Sequence, residues 1–211
     1  MYVASGFHLD PSAAWAFVAR HPFALLLSAQ GSEIEATHLP VVARERGGAR
    51  ELLMHLARAN RHWHALDGAP VTVVFEGAHG YVSPTWYAAS DGVPTWNYSA
   101  VHARGTARLG TRDDVLEQMQ RTAAAHEPAA ADGTTWQLAR LPAGLRDQLL
   151  AAIVPIVVSV EQLDGKAKLS QNRSAADVNG VLAALEARGD AAALALAADM
   201  RIENAAARRE P

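Results

Sequence analysis

Cysteine is missing altogether from the 211 residues, and with it go disulfide frameworks, thiolate nucleophiles and zinc–thiolate sites. Also lacking is any apolar run near the roughly 18 residues that a bilayer-spanning helix needs. The opening Met1-Tyr2-Val3-Ala4-Ser5 has none of the charged-then-apolar form of a secretory signal. These absences predict a cytoplasmic protein with no membrane partner. There is no basic excess either. A formal net charge of −3 supplies no general attraction to phosphate backbones, so DNA binding would have to rest on a local patch. Neither G-x-G-x-x-G nor G-x-x-x-x-G-K-[ST] occurs, which removes the common dinucleotide and triphosphate cradles. Among the nine histidines no pair has diagnostic metal spacing; His62 and His64 flank Trp63 and read as an exposed pair, so no metal site is expected.

Half of the residues are apolar and 19% are charged, an ordinary balance for a folded chain whose length suits one domain with an appended helical segment. Asp10-Pro11 ahead of Trp15, Phe17 and Val18 marks a helix start, since Asp caps free N–H groups and Pro suits the first helical position. Residues 23–29 and 34–43 read as extended segments around Gly31, followed by a polar turn over 44–50. Residues 52–56 and 71–75 are further strands, with a short helix over 60–67 between them that ends at Gly68. The aromatic stretches 81–87 and 95–98 resemble a hairpin about a turn at 88–92, continuing to residue 109. Helices are expected at 111–121, 142–152 and in the 174–187 region, where Val178, Val181, Leu182 and Leu185 have helical spacing; an alanine-rich helix follows over 190–209. Residues 123–133 read as a loop. Residues 153–163 read as a strand that Pro155 marks as an edge or a bulge. Six or seven strands without regular strand–helix alternation point to an antiparallel α+β barrel.

Four stretches carry chemistry. Thr37-His38-Leu39-Pro40 lies on a strand, and a lone histidine there is more often structural than catalytic. His55-Leu56-Ala57-Arg58-Ala59-Asn60 runs from a strand into a short helix, where free N–H groups and the planar Arg58 fork suit a phosphate; equally, Arg58 and Asn60 can serve as caps. Tyr81, Trp86, Tyr87, Trp96 and Tyr98 form an aromatic cluster, suited to a wall for a planar ring or to a dimer interface. Lys168-Leu169-Ser170-Gln171-Asn172-Arg173 gathers cations and neutral hydrogen-bonding groups as an anion site, a DNA contact or a plain surface turn would.

In this order and at these intervals, Ala36-Thr37-His38-Leu39-Pro40, His55 to Asn60 with Trp63, Tyr81-Val82-Ser83-Pro84 with Trp86-Tyr87, Val93 to Tyr98 with Val101-His102, and Lys168 to Arg173 resemble the PaiB family of FMN-binding negative transcriptional regulators. The resemblance covers most of residues 1–187, taken as a split-barrel domain, with 188–211 as a C-terminal helical tail. It implies an FMN-binding split β-barrel with peripheral and C-terminal helices, acting as a homodimer. By that similarity Thr37, His38, Leu39 and Pro40 lie along the isoalloxazine, while His55, Ala57, Arg58 and Asn60 hold the ribityl phosphate. Trp96 walls the ring, and Lys168, Ser170, Gln171 and Arg173 approach the same ligand. Two departures stand out: Arg61-His62 where a proline commonly follows Ala-Arg-Ala-Asn, and Pro155 where a glycine is expected. Two functions follow. One is repression of transcription, for which DNA binding is implied by the family alone; the other is an FMN-dependent oxidoreductase using NAD(P)H. A flavin or haem module without turnover ranks behind both.

Overall fold

The computed structural model describes residues 1–88, 92–128 and 136–207. Among them are strands β1 (His8–Leu9), β2 (Phe23–Gln30), β3 (Glu33–Pro40), β4 (Val42–Arg46), β5 (Ala49–Ala57), β6 (Pro70–Val82), β7 (Thr95–Leu109) and β8 (Ile153–Lys168). The helices are α1 (Pro11–Arg20), α2 (Arg112–His126), α3 (Ala143–Ala151), α4 (Ala175–Arg188) and α5 (Ala191–Ala207). The sheet runs β3-β2-β6-β7-β8-β5-β4, with β1 paired to β8. It is antiparallel and open, since β3 and β4 stand at its two ends without pairing among the described residues. This is the mixed α+β, split-barrel arrangement that the sequence predicts.

The chain forms two compact units, one of Met1–Ala14, Glu76–Val101 and Asp164–Pro211, the other of Trp15–Phe75 and His102–Leu163. In the second unit the period of two is plain: Ala24, Leu26 and Ser28 of β2 are buried while Phe23 and Ala29 are exposed. Leu52, Leu53 and Met54 of β5, Ile156, Val157 and Val158 of β8 and Phe75 of β6 are also buried, each such side chain contributing about 1.5–3 kcal/mol by leaving water. In the first unit Val178, Val181, Leu182 and Leu185 of α4 share a core with Leu196, Ala197 and Met200 of α5. Gly189, at φ +69°, makes the left-handed turn between these helices.

Local chemistry sets the boundaries. Asp10 Oδ1 accepts from the N–H groups of Ser12 (2.7 Å) and Ala13 (2.9 Å), starting α1. Thr111 and Asp114 cap α2 reciprocally.

Several expectations are corrected. Residues 44–46 are strand, not turn: Arg44 is 2% exposed because three carboxylates surround it, and only Gly47 and Gly48, both at positive φ, turn the chain. Helix α2 continues to His126, past the expected loop start at Ala123; residues 129–133 of that loop fall outside the described residues. So do residues 89–91 of the expected turn and 208–209 of the expected last helix. Pro155 lies in an interior strand, opposite His55. Its carbonyl accepts from Gly110 N at 2.8 Å, just beyond the end of β7. A strand residue's N and O face the same side, so the missing N–H falls where β7 has already ended and costs no bond to β5. β8 also runs on through Lys168, so Gly165 and Lys166 are strand residues paired with Leu9 and His8.

Candidate functional site

The candidate residues fall into two groups, one in each compact unit. In the second unit Thr37 sits opposite Leu26 and His38 opposite Leu25. Thr37 is half-buried while His38 is exposed and stacks on Phe23, ring centroids 6.0 Å apart. Leu39 is buried in the core. The carbonyl of Pro40 accepts from Gln118 Nε2 at 3.2 Å, and Gln118 Oε1 lies 2.8 Å from His55 Nδ1, so α2 ties Pro40 and His55 together. Ala57 is exposed at the end of β5.

Asn60 is the N-cap of a 3₁₀ turn, Arg61–Ala65, its Oδ1 accepting from His62 N at 3.0 Å. Its Nδ2 donates to Thr37 Oγ1 at 3.2 Å, bringing two predicted residues together. The group that joins them is His62, which the sequence reading placed on the surface. It is 2% exposed, with Nδ1 2.9 Å from Thr37 Oγ1 and Nε2 2.9 Å from Ser28 Oγ. Burial holds its pKa below the ordinary histidine value, with Glu35 pulling weakly the other way.

Arg58 is exposed and leans back on its own unit. Nε donates to Ala151 O (2.7 Å) and Nη2 to Ile153 O (3.1 Å), at the C-terminal end of α3 where carbonyls lack partners. Trp63 Nε1 donates to Arg58 O, and the guanidinium lies 5.9 Å from the Trp63 ring. A guanidinium carries five N–H donors, so Arg58 keeps donors for an anion while anchoring the turn.

In the first unit Lys168 Nζ donates to the Trp96 carbonyl at 3.0 Å and to Thr95 Oγ1. Burial lowers its pKa from the ordinary lysine value, and Lys166 and Arg173 add like charge against the pull of Tyr98. Arg173 rests over the Tyr87 ring at 4.6 Å. Ser170 has φ +68°, and its Oγ receives Asn97 Nδ2 at 2.8 Å. Gln171 braces the turn, with Oε1 accepting from Leu169 N (2.7 Å) and Nε2 donating to Ala167 O (2.6 Å). Trp96 is 49% exposed; its Nε1 donates to His79 Nδ1 at 3.3 Å, and Tyr81 meets it edge-on.

The donor set fits an anionic, planar cofactor. Lys168 and Arg173 have no carboxylate partner among the described residues, and an uncompensated, half-buried lysine is costly unless an anion joins it. Beside them the exposed Trp96 ring offers a flat apolar face. The sequence reading missed His62, Ser28 and Gln118. Only Gln118 left a signal, lying between Val115 and Met119 on the apolar face of α2.

The family model described as "Putative FMN-binding domain" matches residues 1–162. The chain is 31% identical over 173 residues, 82% of each protein, to "Protease synthase and sporulation protein PAI 2" of Bacillus subtilis (strain 168). In fold it is similar to the FAD and haem binding protein of Mycobacterium smegmatis (TM-score 0.51, 16% identity, 75% of this chain and 71% of that one). It is similar also to the flavocytochrome Anf3 of Azotobacter vinelandii (TM-score 0.50, 17% identity, 75% and 67%). The match over 1–162 and the identity to PAI 2 assign the chain to the PaiB family of FMN-binding split-barrel proteins.

Proposed function

We propose that the protein is a homodimeric FMN-dependent oxidoreductase that takes hydride from NAD(P)H, and that any effect on transcription is indirect. One observation carries this reading: the two regions that could meet a polyanion differ in free positive charge. Residues 175–207, the helical pair on which a DNA-binding motif would have to be built, hold two arginines against five carboxylates. Both arginines are paired, Arg188 with Asp190 and Arg201 with Glu186. Their apolar faces are turned into a core, so neither helix presents the basic recognition face that a major groove requires. Lys168 and Arg173 have no such neutralisation, and they stand near aromatic rings, where one bound anion is better served than an extended phosphate backbone.

FMN supplies hydride and one-electron chemistry when bound. The chain's residues bind and orient it. In the first unit Lys168 and Arg173 would supply charge and Trp96 a stacking face; in the second, Arg58 would offer donors to a phosphate. The partly buried Thr37–Asn60–His62 network holds β3 and the 3₁₀ turn in a fixed relation. Exposed Trp96 and Tyr81 also support an interface with a second copy, since such rings are enriched there.

An FMN titration followed by flavin fluorescence tests binding, with Arg58→Ala and Lys168→Met alongside. The expected result is saturable binding that weakens roughly tenfold or more in each variant, the scale of one lost charged hydrogen bond. FMN-loaded protein should then oxidise NADH or NADPH with a common acceptor. Sequence-preferring, salt-sensitive retardation of the protein's own upstream DNA, with no NAD(P)H oxidation, would reverse the reading in favour of direct repression.

A further inference from the structure

The second unit contains a cleft of about 390 Å³ whose lining includes Pro40 and His55, two residues that the family resemblance sets beside the flavin, but whose remaining lining that resemblance leaves unassigned. Its walls are mostly apolar, with Met119, Ala123, Leu149, Leu150 and Ile153 among them; Thr122 and the exposed His126 and Glu127 also line it, and its less exposed polar side chains are His55 and Gln118. Leu149 remains 47% exposed at the wall, an apolar side chain on a helix with nothing over it among the described residues. The volume lies in the range of small-molecule sites.

Hydrogen-bond logic fixes what His55 and Gln118 present. The Pro40 carbonyl can only accept, so the Gln118 atom facing it is the amide nitrogen. Gln118 Oε1 therefore faces His55, and the nitrogen 2.8 Å from it, Nδ1, carries the proton. Gln118 is 1% exposed and cannot trade this arrangement for water. Neutral His55 is held in the Nδ1–H tautomer, leaving Nε2 as a lone-pair acceptor with no partner among the described residues.

We infer that this cleft is a binding site for a small, planar apolar molecule carrying one hydroxyl or N–H donor, which His55 Nε2 accepts. An apolar body fills the walls, and the donor meets the acceptor that His55 leaves open. A ligand bearing only acceptors meets a lone pair and gains nothing there. Because His55 and Pro40 are also the flavin contacts that the family resemblance implies, the inference concerns the flavin-free protein.

Equilibrium dialysis of flavin-free protein against 2-naphthol and against 2-methoxynaphthalene tests it, the two probes differing in the single donor. 2-Naphthol is expected to bind about three- to tenfold more tightly, the worth of one hydrogen bond. Gln118→Leu frees the imidazole to turn or change tautomer; it should erase that preference while leaving 2-methoxynaphthalene bound, which a general loss of fold would not do. Ala123→Phe fills the cleft and should abolish binding of both probes with the FMN titration unchanged. Equal binding of the two probes by the unaltered protein, or binding of neither at millimolar concentration, overturns the inference. So does competitive displacement of 2-naphthol by FMN, which would make the cleft part of the flavin seat.

Discussion

Two cations, Arg44 in one compact unit and Lys168 in the other, show how differently the fold treats the same charge. Arg44 is 2% exposed and meets Glu51 (2.7 Å), Asp114 (3.0 Å) and Glu117 (2.7 Å). Those carboxylates raise its pKa above the ordinary arginine value against the burial that would lower it. Among the described residues Lys168 donates to a threonine hydroxyl and a carbonyl alone, and burial lowers its pKa. A buried charge with a full set of counter-charges is a structural rivet. A half-buried charge with neutral partners keeps the capacity to take an anion as well.

The largest test of that contrast is a pair of substitutions read by urea denaturation. Arg44→Met leaves three carboxylates crowded without their cation and is expected to cost about 3–5 kcal/mol, as removal of one partner from a buried ion pair does. Lys168→Met strands no carboxylate and should cost less than about 1 kcal/mol while weakening FMN binding. Equal losses of stability from the two would break the comparison.

The same pair explains what could be read in advance. Lys168 stood in a run whose composition suits an anion site, a DNA contact or a plain surface turn. Arg44 lay in Arg44-Glu45-Arg46-Gly47-Gly48, which local polarity reads as a turn, because its partners Asp114 and Glu117 come from a helix 70 residues onward. Local signals survived where the cause was local: the Asp10 cap, the α4 stripe and the Val71–Phe75 strand. They failed where a distant group made the environment. His62 looked exposed between Arg61 and Trp63, yet Ser28 and Thr37 bury it. Pro155 looked like an edge or bulge residue, yet the end of β7 at Leu109 is what makes it harmless inside the sheet.

Acid should sharpen the Arg44 side next. Burial pushes the Asp114 carboxyl up, but the Thr111 N–H and the guanidinium groups of Arg108 and Arg44 outweigh it and hold the pKa at about 2, below the ordinary 3.8. A depressed carboxylate stabilises the fold fully above its unfolded pKa, and that contribution is lost as pH falls through the folded value. A stabilisation of roughly 2 kcal/mol should therefore be intact above about pH 4 and disappear toward pH 2. Glu117, also lowered, should add to the loss. In Asp114→Asn the acid step in urea midpoint should shrink; an unchanged step would move the titration elsewhere.

A smaller effect separates packing from charge in the first unit. A Cβ on Gly180 of α4 would run into the backbone carbonyl of Trp86, which cannot swing aside as a side chain end can. Gly180→Ala gains about 1 kcal/mol of helix propensity against an overpacking cost of about 1–3 kcal/mol. A net loss near 1 kcal/mol is expected. A gain in stability would show that α4 can shift away from the Pro84–Trp86 turn.

The smallest effect concerns His62, and its sign follows from the burial. A histidine whose folded pKa lies below its unfolded value of about 6.5 is favoured neutral in the fold, so the unfolded chain binds more protons as pH falls. Stability is greatest above about pH 6.5 and declines on acidification until the folded ring protonates as well. Lowering the pH from 7.5 to 5.5 should therefore reduce the urea midpoint of the unaltered protein more than that of His62→Gln, whose amide keeps a donor and an acceptor but takes up no proton. This decline begins well above the acid step of Asp114, so the two titrations are separable in one pH series. If His62→Gln shows the same slope, then Ser28 and Thr37 turn their hydroxyl oxygens toward a charged ring, and the network tolerates the cation that burial disfavours.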